Sequence, residues 1–376
     1  MPTEVSALCD WFGIDLPLFA FSHCRDVVAA VTNAGGFGVL GASSHTPQEL
    51  EQELTWIDEQ VHGRPYGVDI VVPHSLADGR SISRDELARQ VPDAHKQFVR
   101  ELLAERGVPA GPEELFVLDR VPDAATGEAL LDVSFRHPIG LIANALGVPP
   151  PFMIERAKAA GVPVAALVGA KEHAVKQVQA GVDLLIAQGS EAGGHVGEVS
   201  TLVLVPEVIA AIRPIREVPV LAAGGIVTGR QMAAAVALGA AGAWTGSVWL
   251  TTEESETAPH TVRKLLAATS RDTVRSRSRT GKPCRQLRSG WTEAWDAADG
   301  PEALPMPLQS VLARRALARI DRLAETGNLG AQDLATYFVG QGVGLLNASR
   351  PVREVVREMA EDFLNAAERV RRSVAG

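Results

Sequence analysis

The chain has 376 residues, with 45 acidic side chains against 36 basic ones and a formal charge of −9. That balance gives no general attraction for nucleic acid or an anionic membrane, and no run of 18 apolar residues is present to span a bilayer. Three cysteines, Cys9, Cys24 and Cys284, are odd in number and far apart. They predict neither a disulfide framework nor a metal cluster, and with no secretory pattern the expectation is a reduced, soluble, cytoplasmic protein.

Apolar runs bounded by turn residues follow one another along the chain: Leu16–Phe21, Phe37–Ala42, Tyr66–Val72, Leu141–Leu146, Val164–Gly169, Leu184–Gln188, Val220–Ala223 and Ala243–Leu250. Segments with helical periodicity separate most of them, at Cys24–Ala34, Pro47–Glu59, Pro150–Ala160, Lys171–Ala180 and Gly229–Leu238. Such alternation predicts parallel strands joined by crossover helices, an α/β chain. Eight strands suit a closed (β/α)₈ TIM barrel. An open doubly wound sheet is the competing arrangement, but no G-x-G-x-x-G follows the first strand.

The length exceeds a typical barrel by roughly a hundred residues, and two segments account for the excess. From Pro73 to about Leu131 the chain is polar, with helical patterning over Asp85–Arg106, predicting a helical insertion after the third strand. Beyond Thr251 helix-like stretches dominate, at Val262–Ala268, Leu308–Thr326, Ala331–Val339 and Pro351–Val370. The predicted division is a barrel over 1–250, a smaller, mainly helical lid over 251–345, and a C-terminal helix over 346–376 returning to the barrel.

Two glycine sites carry the chemistry. Strand six runs into Ala187-Gln-Gly-Ser-Glu-Ala-Gly-Gly-His-Val-Gly197, where four glycines surround His195. Glycine lets the backbone approach a ligand closely, and an imidazole there could act near neutral pH; the plainer alternative is a turn with a solvated histidine. Glu191 could orient this loop by accepting backbone hydrogen bonds or support the histidine. Strand seven ends in Gly224-Gly225 and strand eight contains Gly246-Ser247, and the loops after strands seven and eight of such barrels frequently bind phosphate. Tight helix–sheet packing is the alternative.

His23 at a strand end could face a ligand or pack locally. Arg275, Arg277, Arg279, Lys282, Arg285 and Arg288 form a basic cluster in an acidic chain. It could hold nucleotide or coenzyme A phosphates or be a solvated loop paired with acids. Trp291 and Trp295, at i, i+4, read as core. Gln341, between Gly340 and Gly342, could reach the site from the lid.

Taken together, Asn33-Ala-Gly-Gly-Phe-Gly38, Tyr66-Gly-Val-Asp69, the Gln188–Gly197 loop, Ala222-Ala-Gly-Gly-Ile226, Gly246-Ser247, Thr280-Gly-Lys-Pro-Cys-Arg285 and Gly340-Gln-Gly342 resemble the nitronate monooxygenase (2-nitropropane dioxygenase) family of FMN-dependent barrels. That family is akin to the FMN-dependent enoyl-acyl-carrier-protein reductases. The resemblance implies FMN as cofactor, with its phosphate on Gly224, Gly225, Gly246 and Ser247. Trp244 and Thr245 would adjoin it, and Gln188, Gly193, Gly194 and Asp69 would be near the flavin. Ala20, Phe21 and Ser22 would form the wall beside the ring, and His195 would match the catalytic histidine. The implied reaction converts nitronates or nitroalkanes and O₂ to carbonyl compounds and nitrite. An NAD(P)H-dependent reductase of enoyl thioesters is the alternative, with NAD(P)H as candidate electron donor, and a homodimer is a candidate assembly. No metal, nucleic acid or membrane partner is implied. Three departures concern the substrate side: Ala20-Phe21-Ser22 where the family has Ala-Pro-Met, Asp69 where it usually has asparagine, and Ala143-Asn144-Ala145-Leu146-Gly147 without a histidine.

Overall fold

A computed structural model describes residues 4–72, 83–109, 111, 114–118 and 124–375. In chain order the strands are β1 (Leu18–Ser22), β2 (Phe37–Gly41), β3 (Gly67–Ile70), β4 (Leu141–Asn144), β5 (Val164–Val168), β6 (Leu184–Gln188), β7 (Gly194–His195), β8 (Val220–Ala223), β9 (Gly242–Thr245), β10 (Thr273–Ser276) and β11 (Cys284–Leu287). A closed barrel runs β1-β2-β3-β4-β5-β6-β8-β9, and a separate three-stranded sheet runs β10-β11-β7. All eight barrel pairings are parallel, the TIM-barrel arrangement that the strand–helix alternation predicted.

Period-two alternation divides the strand side chains between two cores. Val68, Ile70, Ile142, Leu185 and Ala222 face the surrounding helices, whereas Phe19, Phe37, Val39, Leu141, Leu184, Ile186, Leu221 and Trp244 fill the lumen. The helix Glu4–Phe12, which the sequence reading did not anticipate, contributes Leu8 and Phe12 to that lumen core. Phe12 meets Phe19 and Phe37 edge-on at 5.1 Å. The barrel's N-terminal end is therefore plugged with aromatic rings, and chemistry is left to the other end.

The eighth predicted strand is shorter than expected. It stops at Thr245, and Ser247–Thr251 forms a 3₁₀ turn. Gly246 leaves the extended region at φ −137°, ψ −61°. Because Val248 and Trp249 in the turn are themselves buried, the apolar run continues without a break, and apolarity alone cannot separate a buried strand from a buried turn. The helix expected over Ala331–Val339 occupies Leu329–Leu334 instead, and Phe338 then bridges to Gln286. The β10–β11 hairpin lies inside the arginine-rich segment, where charge masked its alternation.

Two segments read separately in the sequence share one core. Leu87, Val99, Leu102 and Leu103 after β3 pack with Trp291, Trp295, Leu312 and Leu317 near the C-terminal end. The first four come from helices Arg84–Gln90 and Asp93–Glu105, and the leucines at 312 and 317 from Leu308–Glu325. The tryptophans are core, as their spacing suggested. The long helix Val352–Ala375 returns to the barrel, where Val352, Val356 and Met359 join the outer core and Asp362 pairs with Arg230. Among the described residues no helix is long and apolar enough to cross a membrane.

Candidate active site

The glycine loop after β6 is held from three sides. Gly189 N–H donates to Ala223 O at 2.9 Å, tying the loop to the neighbouring strand end. The Glu191 carboxylate accepts from Thr201 N–H and from the Thr201 hydroxyl, both at 2.9 Å. Thr201 opens the helix Thr201–Ile212, whose first N–H groups have no partner within the helix. Glu191 thus has the structural role, satisfying a helix end while fixing the loop. Glu191→Ala is expected to lower stability by about 1 kcal/mol, the usual cost of a lost cap, and Glu191→Gln by less because an amide oxygen still accepts. Equal melting temperatures for the three proteins would contradict this role.

The third constraint comes from the far end of the chain. Gln341 N–H donates to Glu191 O at 2.8 Å, and Gly340 N–H donates to the Ser247 hydroxyl at 2.9 Å. A Cβ on Gly193 would lie 2.8 Å from the Val339 carbonyl carbon, so this glycine is required by backbone against backbone. Gln341 reaches the site through its main chain.

His195 sits on β7, opposite Cys284 of β11 and outside the barrel sheet. Its Nε2 lies 2.8 Å from the Thr280 hydroxyl oxygen. The same oxygen is 3.3 Å from both Lys282 N and Lys282 O. Phe338 stands beside the imidazole, with ring centres 6.4 Å apart, and the Arg279 guanidinium covers Phe338 at 4.4 Å. Burial, reinforced by the Lys282 charge, pushes His195 below the ordinary histidine value of 6.5. The imidazole is therefore neutral at neutral pH and able to accept a proton.

Strands β8 and β9 are neighbours, with Ala223 level with Trp244. Gly224-Gly225 and Gly246-Ser247 consequently emerge side by side. Gly224 and Gly225 have φ of +112° and +71°, conformations that L side chains resist. Around Gly246 a Cβ would meet nothing within 4 Å, so open space faces this backbone. Packing does not require that glycine.

The other anticipated residues divide by direction. Phe21 is half-buried at the mouth, stacked with Trp244 at 6.3 Å. Ala20 belongs to the outer core, so only its main chain can face a ligand. Ser22 accepts from Cys24 N–H at the start of the following helix. Thr245 is 1 % exposed, with its hydroxyl donating to Phe19 O and accepting from the Trp249 indole, which places it behind the lumen wall. Gln188 ends β6, half-buried and level with Ala223, and Gly194 adjoins His195 on β7 with open space around it. Asp69 is buried in the lumen at β3. His23 donates from Nδ1 to Gly41 O at 2.8 Å and meets Phe21 edge-on, so local packing holds it.

Within the basic cluster, much of the charge is spent internally. Arg277 donates to Gly281 O, Arg279 to Thr336 O, and Arg285 to Ser190 O and the Thr273 hydroxyl. Lys282 and Arg288 remain exposed. Arg285 stitches the glycine loop to β11, and Thr280 holds the histidine. Neither role was assigned from sequence, because both partners lie about ninety residues away and the signal in Thr280–Arg285 was only its motif.

The sequence pattern of the nitronate monooxygenase family matches residues 14–362. The chain belongs to that family. A "putative monooxygenase" of Mycobacterium tuberculosis is 53% identical over 376 residues, covering 97% of each chain. A "probable nitronate monooxygenase" of Staphylococcus aureus strain Newman is 27% identical, covering 89% of this chain and 90% of its own. The solved nitroalkane oxidase of Streptomyces ansochromogenes is 26% identical with a TM-score of 0.80, covering 97% of this chain and 99% of its own. Membership of the nitronate monooxygenase family makes the protein an oxidoreductase, and the likeness extends through the barrel and the added helices alike.

Proposed function

We propose that this protein binds FMN and oxidises nitroalkanes or their nitronates with O₂ to carbonyl compounds and nitrite. The observation carrying the reading is a half-buried imidazole, held by Thr280, on the loop that also abuts a paired-glycine cradle. The residues present fit FMN. Gly246 has open space before its backbone, and Gly224 and Gly225 beside it carry no side chains of their own. Gly224, Gly225, Gly246 and Ser247 would hold the phosphate, while Gln188, Gly193, Asp69 and Phe21 would stand around the ring. Bound there, FMN would supply the redox chemistry and its link to O₂.

The chain's own contribution is to manage a proton. Thr280 can accept Nε2–H of His195 while donating its own proton to Lys282 O. That tautomer leaves the Nδ1 lone pair free to take the α-proton of a nitroalkane. A nitronate has already lost that proton and needs only to be bound. Since burial lowers the His195 value, the proton-accepting form persists through neutral pH and is lost as pH falls below that lowered value. Nitroalkane turnover should therefore plateau above the ordinary histidine range and fall on its acid side. Thr280→Val should reduce turnover about tenfold and move that acid limb, because the tautomer is no longer selected; an unmoved pH profile contradicts the positioning role.

The solved FabK of Thermotoga maritima, 25% identical with a TM-score of 0.72, supports a second reading as an NAD(P)H-dependent enoyl-thioester reductase, with the exposed Lys282 and Arg288 available to phosphates. One anaerobic experiment separates the two. Bleaching of the flavin band by a nitronate without NADPH supports the oxidase, and bleaching by NADPH alone supports the reductase. Protein that takes up no FMN sinks both.

A further inference from the structure

Asp69 stands at the mouth of the barrel lumen, and among the described residues its carboxyl has no hydrogen-bond partner. Gly67, two residues before Asp69, has its Cβ direction against the Phe37 ring and Leu141, both lumen residues. Period-two alternation sends Asp69 the same way. On the adjoining strands Asp69 is level with Gly41 and Ala143, neither of which offers a polar side chain. The residue is 3 % exposed, yet no described residue hydrogen-bonds its carboxyl. Its main-chain oxygen accepts from Ala42 N–H at 2.8 Å.

The polar groups on the neighbouring elements are committed elsewhere. Asn144 of β4 spends its side chain on Val72 N–H and Gly147 O. His23 bonds Gly41 O and His45 bonds Ala42 O, and neither titratable ring contacts the carboxyl. Among the described residues no charge opposes or assists Asp69. Only burial acts on it, and burial without a partner disfavours the ionised form.

We propose that Asp69 serves as a neutral carboxylic acid that donates a hydrogen bond to an acceptor atom of bound FMN. The inference rests on the FMN reading above and adds the proton to it. Burial raises the Asp69 carboxyl to about 7, so the acid form is populated at neutral pH. A carboxylic acid both donates and accepts, as an amide does, whereas a carboxylate only accepts. Phe21 and His23 fill the space over Gly41 on one flank, and Ala143 offers only a methyl group on the other. Binding that uses the proton must raise the Asp69 value further in the complex. FMN affinity is then constant below about pH 7 and weakens above it, approaching tenfold per pH unit by linkage.

The test measures the dissociation constant of FMN from pH 6 to 9, by quenching of flavin fluorescence, for the wild type, Asp69→Asn and Asp69→Ala. The FMN phosphate titrates equally in all three and cancels in the comparison. Expected are a weakening above pH 7 in the wild type beyond any slope the two variants share, an Asp69→Asn affinity close to the wild-type acid limit, and a weaker Asp69→Ala affinity. Affinity that tightens with pH, or slopes shared by all three proteins, overturns the proposal and leaves the FMN reading standing. Failure of every protein to bind FMN overturns that reading and this one with it. Infrared difference spectra of the wild type, with and without FMN at pH 7.5, add a readout independent of the variants. The carboxylic-acid carbonyl band should intensify on binding, and its loss on binding refutes the acid form.

Discussion

His195→Ala is expected to retain FMN and to lose about 10²–10⁴-fold in nitroalkane turnover, the usual contribution of a positioned acid–base group. Retention follows from position. His195 lies on β7, which pairs only with β11, while the proposed phosphate cradle stands on the ends of β8 and β9. The loop is held by Glu191, Arg285 and Gln341 through bonds that do not involve the imidazole. The loss follows from chemistry, since no other described imidazole is held on the glycine loop. A preformed nitronate should suffer less than its parent nitroalkane, because it brings no α-proton to remove. Flavin content, melting temperature and steady-state rates with both substrate forms check this. Equal turnover of wild type and variant on the nitroalkane would refute the assignment of His195.

Two glycine substitutions should separate the cradle's architecture from its ligand. Gly224→Ala must place a Cβ at φ +112° and 2.7 Å from the Thr201 hydroxyl. A non-glycine residue in such a region costs about 1–3 kcal/mol, and moving Thr201 also disturbs the Glu191 cap, so both melting temperature and FMN retention should fall. Gly246→Ala differs. Its φ is negative, at −137°, and nothing lies within 4 Å of the added carbon. Stability should stay within about 0.5 kcal/mol of the wild type, while FMN affinity drops at least tenfold because the methyl group takes the space the phosphate needs. Undiminished FMN affinity in Gly246→Ala would remove the phosphate from this position.

Much of the barrel was legible because its signal is local. Parallel strands buried on both faces appear as short apolar runs, and each crossover helix interrupts them with a different period. The same logic located the glycine pairs at the strand ends. It failed where burial and secondary structure part company, as at Val248 and Trp249, and where charge conceals alternation, as in Thr273–Leu287. The helix Glu4–Phe12 escaped notice because its apolar face serves a lumen whose existence depends on strands far along the chain.

For the site, the chain order alone placed His195, Gly224 and Gly246 in loops that a barrel gathers at one end, since every parallel strand delivers its C-terminal end to the same rim. The roles of the surrounding groups were decided only in three dimensions. Thr280 reaches His195 across 85 residues, Arg285 reaches Ser190 across 95, and Gln341 closes on Glu191 from the far end of the chain. Hydrogen-bond partners at such separations leave no periodicity for a sequence to display. Asp69 shows the same division most clearly. Its identity is a letter in the chain, but its isolation between Gly41 and Ala143 is a matter of strand register, and its proposed use rests on that isolation.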